Sequence, residues 1–279
     1  MVKRLITSLI AICVLIPVLI FSGTWVFPIA LSAVSVIALY ELFKCMGVHK
    51  KILVTAPLYI AAAATPIMIR GMGDLGNVAK ILFAAACLYL IVVFADIIWS
   101  HGKFYFADGI AMFILAVYII AGMSGLVLVR DFDDNGMYIY LLIFLGAWTT
   151  DVFAYFTGKL FGKHKLIEDV SPKKTVEGSI GGTVFCVLVF ITFGIIVDVL
   201  FEKNANILFL AISGAVVSLV SQIGDLIMSV IKRHYGIKDY GKIFPGHGGV
   251  LDRFDSILAV SVCMIAICLI AQMLGISLI

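Results

Sequence analysis

The densest group of reactive side chains lies between residues 221 and 256, inside a sequence that is otherwise strongly apolar. A charged side chain is costly near the hydrocarbon core of a membrane, so such a cluster indicates a functional site. Asp252 and Asp255 are three residues apart at the start of an apolar segment, so a helix would point both carboxylates the same way. Such carboxylates repel one another unless cations hold them, and Mg²⁺ takes a few carboxylates together with water and phosphate oxygens. This region therefore indicates a magnesium site.

The apolar segment before this pair carries a polar stripe. Its members recur at helical intervals and would share one face: Gln222, Asp225, Ser229 and Lys232. Two interpretations are open, because the stripe either faces a site or satisfies its hydrogen bonds against a neighbouring helix. The segment is also longer than a straight membrane crossing requires, so its helix tilts, extends beyond the membrane or breaks at Gly224.

A glycine-rich turn at 245–249 connects the stripe to the aspartate pair. Glycine lets the backbone approach a ligand closely, and a loop that leads into a helix N-terminus offers its N–H groups to phosphate. His247, within the turn, would hydrogen-bond a phosphate, donate a proton or be an ordinary loop residue. Four nearby cations suit an anionic ligand: Lys232, Arg233, Lys238 and Arg253.

Two more polar groups occur earlier in the chain. Asp151 lies within an apolar span, where an aspartate either belongs to a site or pairs with a cation such as Lys159 at the membrane interface. Lys173 and Lys174 stand beside hydroxyl-bearing residues, which suits phosphate or lipid headgroups. A run of lysines beside a membrane is also a common anchor to the anionic inner leaflet, so both interpretations are open.

The elements that must position these residues are membrane helices. Of the 279 residues 63% are hydrophobic and 13% are charged, whereas a soluble domain has about 25% charged residues. A span needs about 20 apolar residues. Nine segments qualify: 5–21, 25–43, 52–70, 79–99, 106–129, 137–157, 179–201, 205–231 and 254–275. We therefore predict an all-α polytopic membrane protein, in which Glu41 and Asp96 are solvated near span ends. The net charge of +3 does not favour a nucleic-acid partner.

The lysines and arginines of the connecting loops predict the orientation. They concentrate in alternate loops, which places the N-terminus and the two longest polar loops in the cytoplasm. The candidate site would then lie at the cytoplasmic side of the C-terminal half. We divide the chain into an N-terminal transmembrane region, 1–135, and a C-terminal catalytic region, 136–279. Alanine-rich stretches such as 61–64 allow close helix packing, within one chain or between the copies of a homodimer.

These motifs resemble those of the phosphatidate cytidylyltransferases, or CDP-diacylglycerol synthases. The C-terminal part of the resemblance rests on Ser229, Lys232, Arg233, Lys238, Asp239, Pro245, His247, Gly248, Gly249, Asp252, Arg253 and Asp255. The upstream part rests on Asp151, Ala154, Tyr155, Gly158, Lys159, Ser171, Pro172, Lys173, Lys174, Thr175, Glu177, Gly178, Gln222, Gly224 and Asp225. The specific resemblance covers about residues 145–256, while the N-terminal half shares only hydrophobicity and span count.

The resemblance implies that CTP and phosphatidate give CDP-diacylglycerol and pyrophosphate, with Mg²⁺, at a bacterial inner or plasma membrane. It implies catalytic roles for Asp225, Lys232, His247, Asp252 and Asp255, and metal ligation by Asp225 and Asp252 with help from Asp255. It implies substrate contacts for Asp151, Tyr155, Ser171, Lys173, Lys174, Thr175, Glu177, Ser229, Arg233, Lys238, Asp239, Gly248, Gly249 and Arg253. Two alternatives stay open. One is a cytidylyltransferase for another lipid phosphate. The other is a membrane transporter, which explains buried aspartates but not the basic, glycine-rich loop.

Overall fold

The structure, a computed structural model, describes residues 13–102, 104–246 and 248–279. Among these residues, eight helices are long and apolar enough to cross a membrane. In chain order they are α1 Val26–Cys45, α2 Ile52–Met72, α3 Leu75–Trp99, α4 Phe106–Arg130, α5 Gly136–Phe161, α6 Val176–Phe201, α7 Ile207–His234 and α8 Leu251–Leu274. An antiparallel hairpin, β1 Lys165–Ile167 and β2 Ser171–Thr175, connects α5 to α6. The predicted all-α, multi-pass membrane fold is confirmed.

The eight predicted spans from residue 25 onward correspond to these eight helices. Residues 5–12 of the first predicted span, 5–21, lie outside the described residues, and residues 13–20 are helical. Helix α7 runs without interruption for 28 residues, so the break considered at Gly224 is absent. Gly224 instead allows close packing, since an added Cβ would lie 2.6 Å from the Cβ of Ala259 on α8.

Polar side chains and glycines mark where the helices begin and end. The Asp74 carboxylate accepts a hydrogen bond from the N–H of Gly76 at 2.8 Å and caps the start of α3. Gly73, with φ of +62°, follows the last residue of α2. Between such signals the chain is almost entirely apolar, and a segment surrounded by lipid has to satisfy its backbone hydrogen bonds internally. The apolar runs are therefore helices.

The chain divides into two compact units, and the first comprises the chain up to Leu128 together with Ile237–Asp252. In this unit α2 packs against α1 and α3. The hydroxyl of Tyr89 on α3 donates to the carbonyl of Val54 on α2 at 2.9 Å. Asp96 forms an ion pair of 2.8 Å with Lys51, and 18% of its side chain is exposed. The expectation that Asp96 is solvated is therefore wrong, because a lysine pairs with it.

The second unit comprises Val129–Gly236 and Arg253–Ile279. Helix α6 packs against α5 and α7 in this unit. Glycines allow the backbones to approach closely, since a Cβ added to Gly182 of α6 would lie 2.8 Å from the carbonyl oxygen of Thr150 on α5. The division of the chain at residue 135 stays a prediction.

We predict that Gly182→Ala destabilises the protein, because the added methyl group meets a backbone oxygen that cannot move aside. Overpacking of this kind costs about 1–3 kcal/mol. Thermal unfolding of the purified protein in detergent should show a midpoint lowered by a few degrees. Ile180→Ala is the matched control, because it places an alanine on the same helix at a side chain that is 60% exposed. Equal unfolding midpoints for Gly182→Ala and Ile180→Ala would contradict the close approach of α6 to α5 at Gly182.

Candidate active site

A cavity of about 500 Å³ lies in the second unit. Its wall combines residues of α5, the hairpin, α6 and α7: Asp151, Ala154, Tyr155, Gly158, Lys159, Lys165, Leu166, Lys173, Lys174, Thr175, Gly178, Ser179, Gln222 and Asp225. Six of the predicted site residues are in this wall, namely Asp151, Tyr155, Lys173, Lys174, Thr175 and Asp225. Four lysines stand against two aspartates, so the wall carries excess positive charge and favours anionic ligands.

The hairpin brings three of these lysines to the cavity. Lys165 belongs to β1, and Lys173 and Lys174 belong to β2. Thr175, at the end of β2, caps α6 by accepting a hydrogen bond from the N–H of Gly178 at 3.1 Å. The same residue thus ends the hairpin and begins the helix, which fixes the position of the preceding lysines relative to α6.

Glu177, in the first turn of α6, fastens the other end of the hairpin. Its carboxylate accepts hydrogen bonds from the N–H groups of Lys163 at 3.1 Å and His164 at 3.2 Å. It also lies 2.6 Å from Nδ1 of His164. Glu177 does not line the cavity. Its substrate contact therefore stays a prediction, while its structural role is to hold the segment that leads into β1.

An ion pair joins the hairpin to α7 at the cavity wall. Nζ of Lys174 lies 2.5 Å from the carboxylate of Asp225, and both side chains are 25% exposed. The charge of Asp225 also interacts with those of Asp151 and Asp255. Three carboxylates from α5, α7 and α8 therefore share one electrostatic environment, in which Lys174 supplies a compensating positive charge.

Asp151 lies on α5, at the wall of the cavity. Asp151 lines the cavity, and its carboxylate accepts a hydrogen bond of 3.4 Å from the hydroxyl of Ser256. The cations whose charges act on it are Lys174 and Arg253. Asp151 therefore lines the cavity near two cations, and its role as a site carboxylate stays a prediction.

One part of the polar stripe on α7 hydrogen-bonds to a neighbouring helix, and another part faces the cavity. The side-chain amide of Gln222 donates to the carbonyl of Ser179 and to the hydroxyls of Thr183 and Ser218, each at 3.4 Å. This part of the stripe packs against α6, as a structural stripe should. One turn later, Asp225 faces the cavity and the hairpin lysine.

Other predicted site residues lie outside the cavity wall. Lys232 interacts electrostatically with Asp255 in the second unit. The side chains of Arg233, Lys238 and Asp239 are exposed, and those of Ser171 and Ser229 are half-buried. The first unit contains Lys238, Asp239, Gly248, Gly249 and Asp252, whereas Arg253 belongs to the second. His247 lies outside the described residues. The functional roles of all these residues stay predictions.

Asp252 holds the glycine-rich segment within the first unit. The residue is only 7% exposed, and one carboxylate oxygen accepts hydrogen bonds from the N–H groups of Tyr240 at 2.8 Å and Gly249 at 2.9 Å. Gly248 has a φ of +88°, and a Cβ added there would lie 2.7 Å from the same carboxylate. The metal-binding role predicted for Asp252 stays a prediction beside this observed structural one.

Glu41 is, after Asp96, the second residue whose surroundings the sequence analysis predicted wrongly. It was expected to be solvated, but it is 3% exposed, and its carboxylate accepts hydrogen bonds from the N–H groups of Val250 at 3.1 Å and Leu251 at 2.9 Å. The expectation that the loop offers its amides to phosphate is therefore wrong for Gly249, Val250 and Leu251, which donate to carboxylates. A usable signal existed, since a glutamate inside an apolar span has to find partners within the protein.

The donor chemistry of the second unit fits Mg²⁺. Asp151, Asp225 and Asp255 supply hard oxygen ligands near one another. The described part of the chain contains no group of three or more His, Cys, Asp or Glu side chains arranged to hold a metal ion by themselves. Mg²⁺ does not require one, because it keeps several waters and binds one or two carboxylates together with substrate phosphates.

The fold and the cavity together define a multi-pass membrane protein with a site suited to anionic molecules. This chain belongs to the Cytidylyltransferase family, which residues 2–271 match. It is 35% identical over 257 residues to the phosphatidate cytidylyltransferase of Staphylococcus haemolyticus strain JCSC1435, covering 92% of this chain and 95% of the relative. It is 37% identical over 259 residues to that of Staphylococcus aureus strain COL, with the same coverage. The family resemblance is confirmed.

We predict that Glu177→Ala loosens the hairpin, because the N–H groups of Lys163 and His164 lose their acceptor. Limited trypsin digestion followed by mass spectrometry should show faster cleavage after the lysines at 163–174. Glu168→Ala is the matched control, because Glu168 is an exposed residue of the turn between the two strands. Unchanged cleavage in Glu177→Ala would contradict the fastening role.

Proposed function

We propose that this protein transfers the CMP group of CTP to phosphatidate, giving CDP-diacylglycerol and pyrophosphate. The observation that carries the proposal is the cavity in which hairpin lysines meet the carboxylates of two membrane helices. The names of the relatives supply the reaction, since both are called phosphatidate cytidylyltransferases. A cavity at the ends of membrane helices suits one substrate that is a lipid and another that comes from water.

The reaction joins two polyanions, so the main task of the protein is to offset their repulsion and to align them. An ionised oxygen of phosphatidate attacks the α-phosphorus of CTP, a new P–O bond forms, and the bond to the pyrophosphate leaving group breaks. The nucleophile is already ionised, so no general base is required. Lys173 and Lys174 bind phosphate oxygens, and Lys174 exchanges its contact with Asp225 for one with substrate.

The carboxylates would hold the cation that the reaction needs. Asp225 and Asp255 would bind Mg²⁺, which neutralises phosphate charge and orients the reacting oxygens. Asp151 lies beside them and adds negative charge that draws the cation into the cavity. Lys232 stabilises the charge of Asp255. Ser171 and Ser229 act as hydrogen-bonding groups, and ligation by Asp252 stays a prediction.

The cavity faces the cytoplasm in this proposal, and the membrane is the cell membrane. The lysines of the hairpin and of the segment after α7 lie in the two longest polar connections, and positively charged connections stay in the cytoplasm. CTP is a cytoplasmic solute, so the proposed orientation gives it access. A homodimer stays a prediction.

The decisive experiment uses purified protein in detergent with phosphatidate, Mg²⁺ and α-labelled CTP. We expect label to enter the lipid phase as CDP-diacylglycerol, and Asp225→Asn to lower the rate by about 10²-fold or more, because a charged group that aligns phosphate is lost. Asp198→Asn is the matched control, because Asp198 accepts a backbone hydrogen bond from Ala205, a role that asparagine can also fill. Equal rates for the two variants would remove Asp225 from the site.

The same assay separates the two alternatives. Transfer to another lipid phosphate, but not to phosphatidate, would identify a cytidylyltransferase with a different acceptor. Absence of transfer to every lipid phosphate tried, from a monodisperse protein, would overturn the proposal and favour a transporter.

We predict that the transfer is lost when divalent cations are chelated and returns when Mg²⁺ is added back. The reason is that the carboxylates bind the phosphates only through a cation. Asp225→Asn should also raise the Mg²⁺ concentration that gives half-maximal rate, whereas Asp198→Asn should not. Full activity in the presence of excess chelator would contradict the metal requirement.

A further inference from the structure

We propose that Glu41 of α1 is a positioning residue for this reaction, because its carboxylate holds the glycine-rich turn and the start of α8 in place. The proposal rests on the proposed function for its catalytic consequence, but the contact itself stands on geometry. Glu41 is 209 residues away from Val250 in sequence, yet it hydrogen-bonds to both Val250 and Leu251.

The first reason is the chemistry of a helix N-terminus. The first N–H groups of a helix have no partner within the helix, and the helix dipole places positive charge there. Leu251 is the first residue of α8. The two oxygens of Glu41 take the N–H groups of Leu251 and of the residue before it. A buried carboxylate that accepts two backbone hydrogen bonds forms stronger bonds than a neutral acceptor does.

The second reason is the pair of glycines that surrounds the carboxylate. A Cβ added to Gly241 or to Gly249 would overlap the side chain of Glu41. The two glycines are also close to each other, because a Cβ added to Gly241 would lie 3.0 Å from the α-carbon of Gly249. These two glycines therefore leave room for a protein carboxylate. The sequence pattern suggested that Gly249 leaves room for a ligand.

The third reason is that Glu41 and Asp252 divide the amides of this segment between them. Asp252 takes the N–H groups of Tyr240 and Gly249, and Glu41 takes the next two along the chain. Three consecutive amides, from Gly249 to Leu251, are thus bound by carboxylates of the protein itself. These amides are not available to a substrate phosphate, so the turn contributes through its position and its side chains.

Glu41 should affect the reaction through the predicted site residues that lie in the glycine-rich turn and next to it. Gly248 and Gly249 in the turn and Asp252 at the start of α8 are predicted site residues, and Glu41 of α1 binds the backbone between them. Weakening this contact should lower kcat through misalignment of the turn. It should change the KM for CTP much less, because both carboxylate oxygens of Glu41 are taken by backbone N–H groups.

The direct test is hydrogen–deuterium exchange on Glu41→Gln, with Asp96→Asn as the matched control. Glutamine keeps the size of the side chain, but it offers one acceptor oxygen and turns an N–H₂ group toward the second amide. We expect exchange in the peptide that contains Val250 and Leu251 to become about tenfold faster or more, since a hydrogen bond to a charged group is lost. The later turns of α8 should exchange as in the parent protein. Asp96 pairs with Lys51 in the same unit, so its variant should leave this peptide unchanged.

The kinetic test is a double-mutant cycle. Gly249→Ala alone should lower the rate strongly, because its methyl group overlaps Glu41. In the double variant with Glu41→Ala the overlap is gone, so the loss should be smaller than the product of the two single losses. Multiplicative losses, together with unchanged exchange in Glu41→Gln, would overturn the proposal.

The two readouts separate this proposal from the proposed function. If the parent protein transfers no label from CTP, the proposed function fails, while the exchange experiment still decides whether Glu41 holds α8. If the parent protein is active and Glu41→Gln matches it in both kcat and exchange, the positioning role of Glu41 fails and the proposed function stands.

Discussion

Burying charge among apolar helices carries a large energetic cost, and this constraint explains the polar interactions in both units. In the first unit the carboxylates of Glu41 and Asp252 meet backbone N–H groups, and that of Asp96 meets Lys51. In the second unit Asp225 meets Lys174. The contacts of Glu41, Asp96 and Asp225 join segments that are distant in sequence, so the same requirement that neutralises a charge also fixes how the helices and loops of one unit pack.

The fold was largely predictable, because a membrane makes two demands that can be read directly from sequence. A span needs about 20 apolar residues, and its backbone has to satisfy its own hydrogen bonds. The eight spans predicted from residue 25 onward therefore match helices in the structure. The short hairpin at 165–175 was not predicted, since six of its residues are lysines, a proline or hydroxyl-bearing residues without the alternation that marks a strand. Its shape depends on Glu177 and Thr175 at the start of the next helix.

The candidate site was predictable in its residue types but not in its grouping. Helical spacing correctly placed Asp225 on a polar face, and the motif contained three of the four lysines that line the cavity with it, but not Lys165. Spacing could not show that Gln222, on the same face, packs against α6, because that depends on which helix is the neighbour. Nor could it connect Glu41 with Val250, since no local pattern links residues that far apart. Glycines present the same difficulty, because a glycine that admits a ligand and one that admits a carboxylate look alike in sequence.

The long separation between Glu41 and its partners also bears on how the protein is made. A ribosome adds roughly 5–20 residues per second. The 209 residues between Glu41 and Val250 therefore take roughly ten to forty seconds to synthesise, and during that time the amides that Glu41 binds do not yet exist. A carboxylate without partners is stable in water or among lipid headgroups and unstable deeper in the bilayer. Until Leu251 has been synthesised, Glu41 therefore needs other partners, such as water or lipid headgroups, and the buried contact that ties α1 to the start of α8 forms late in synthesis.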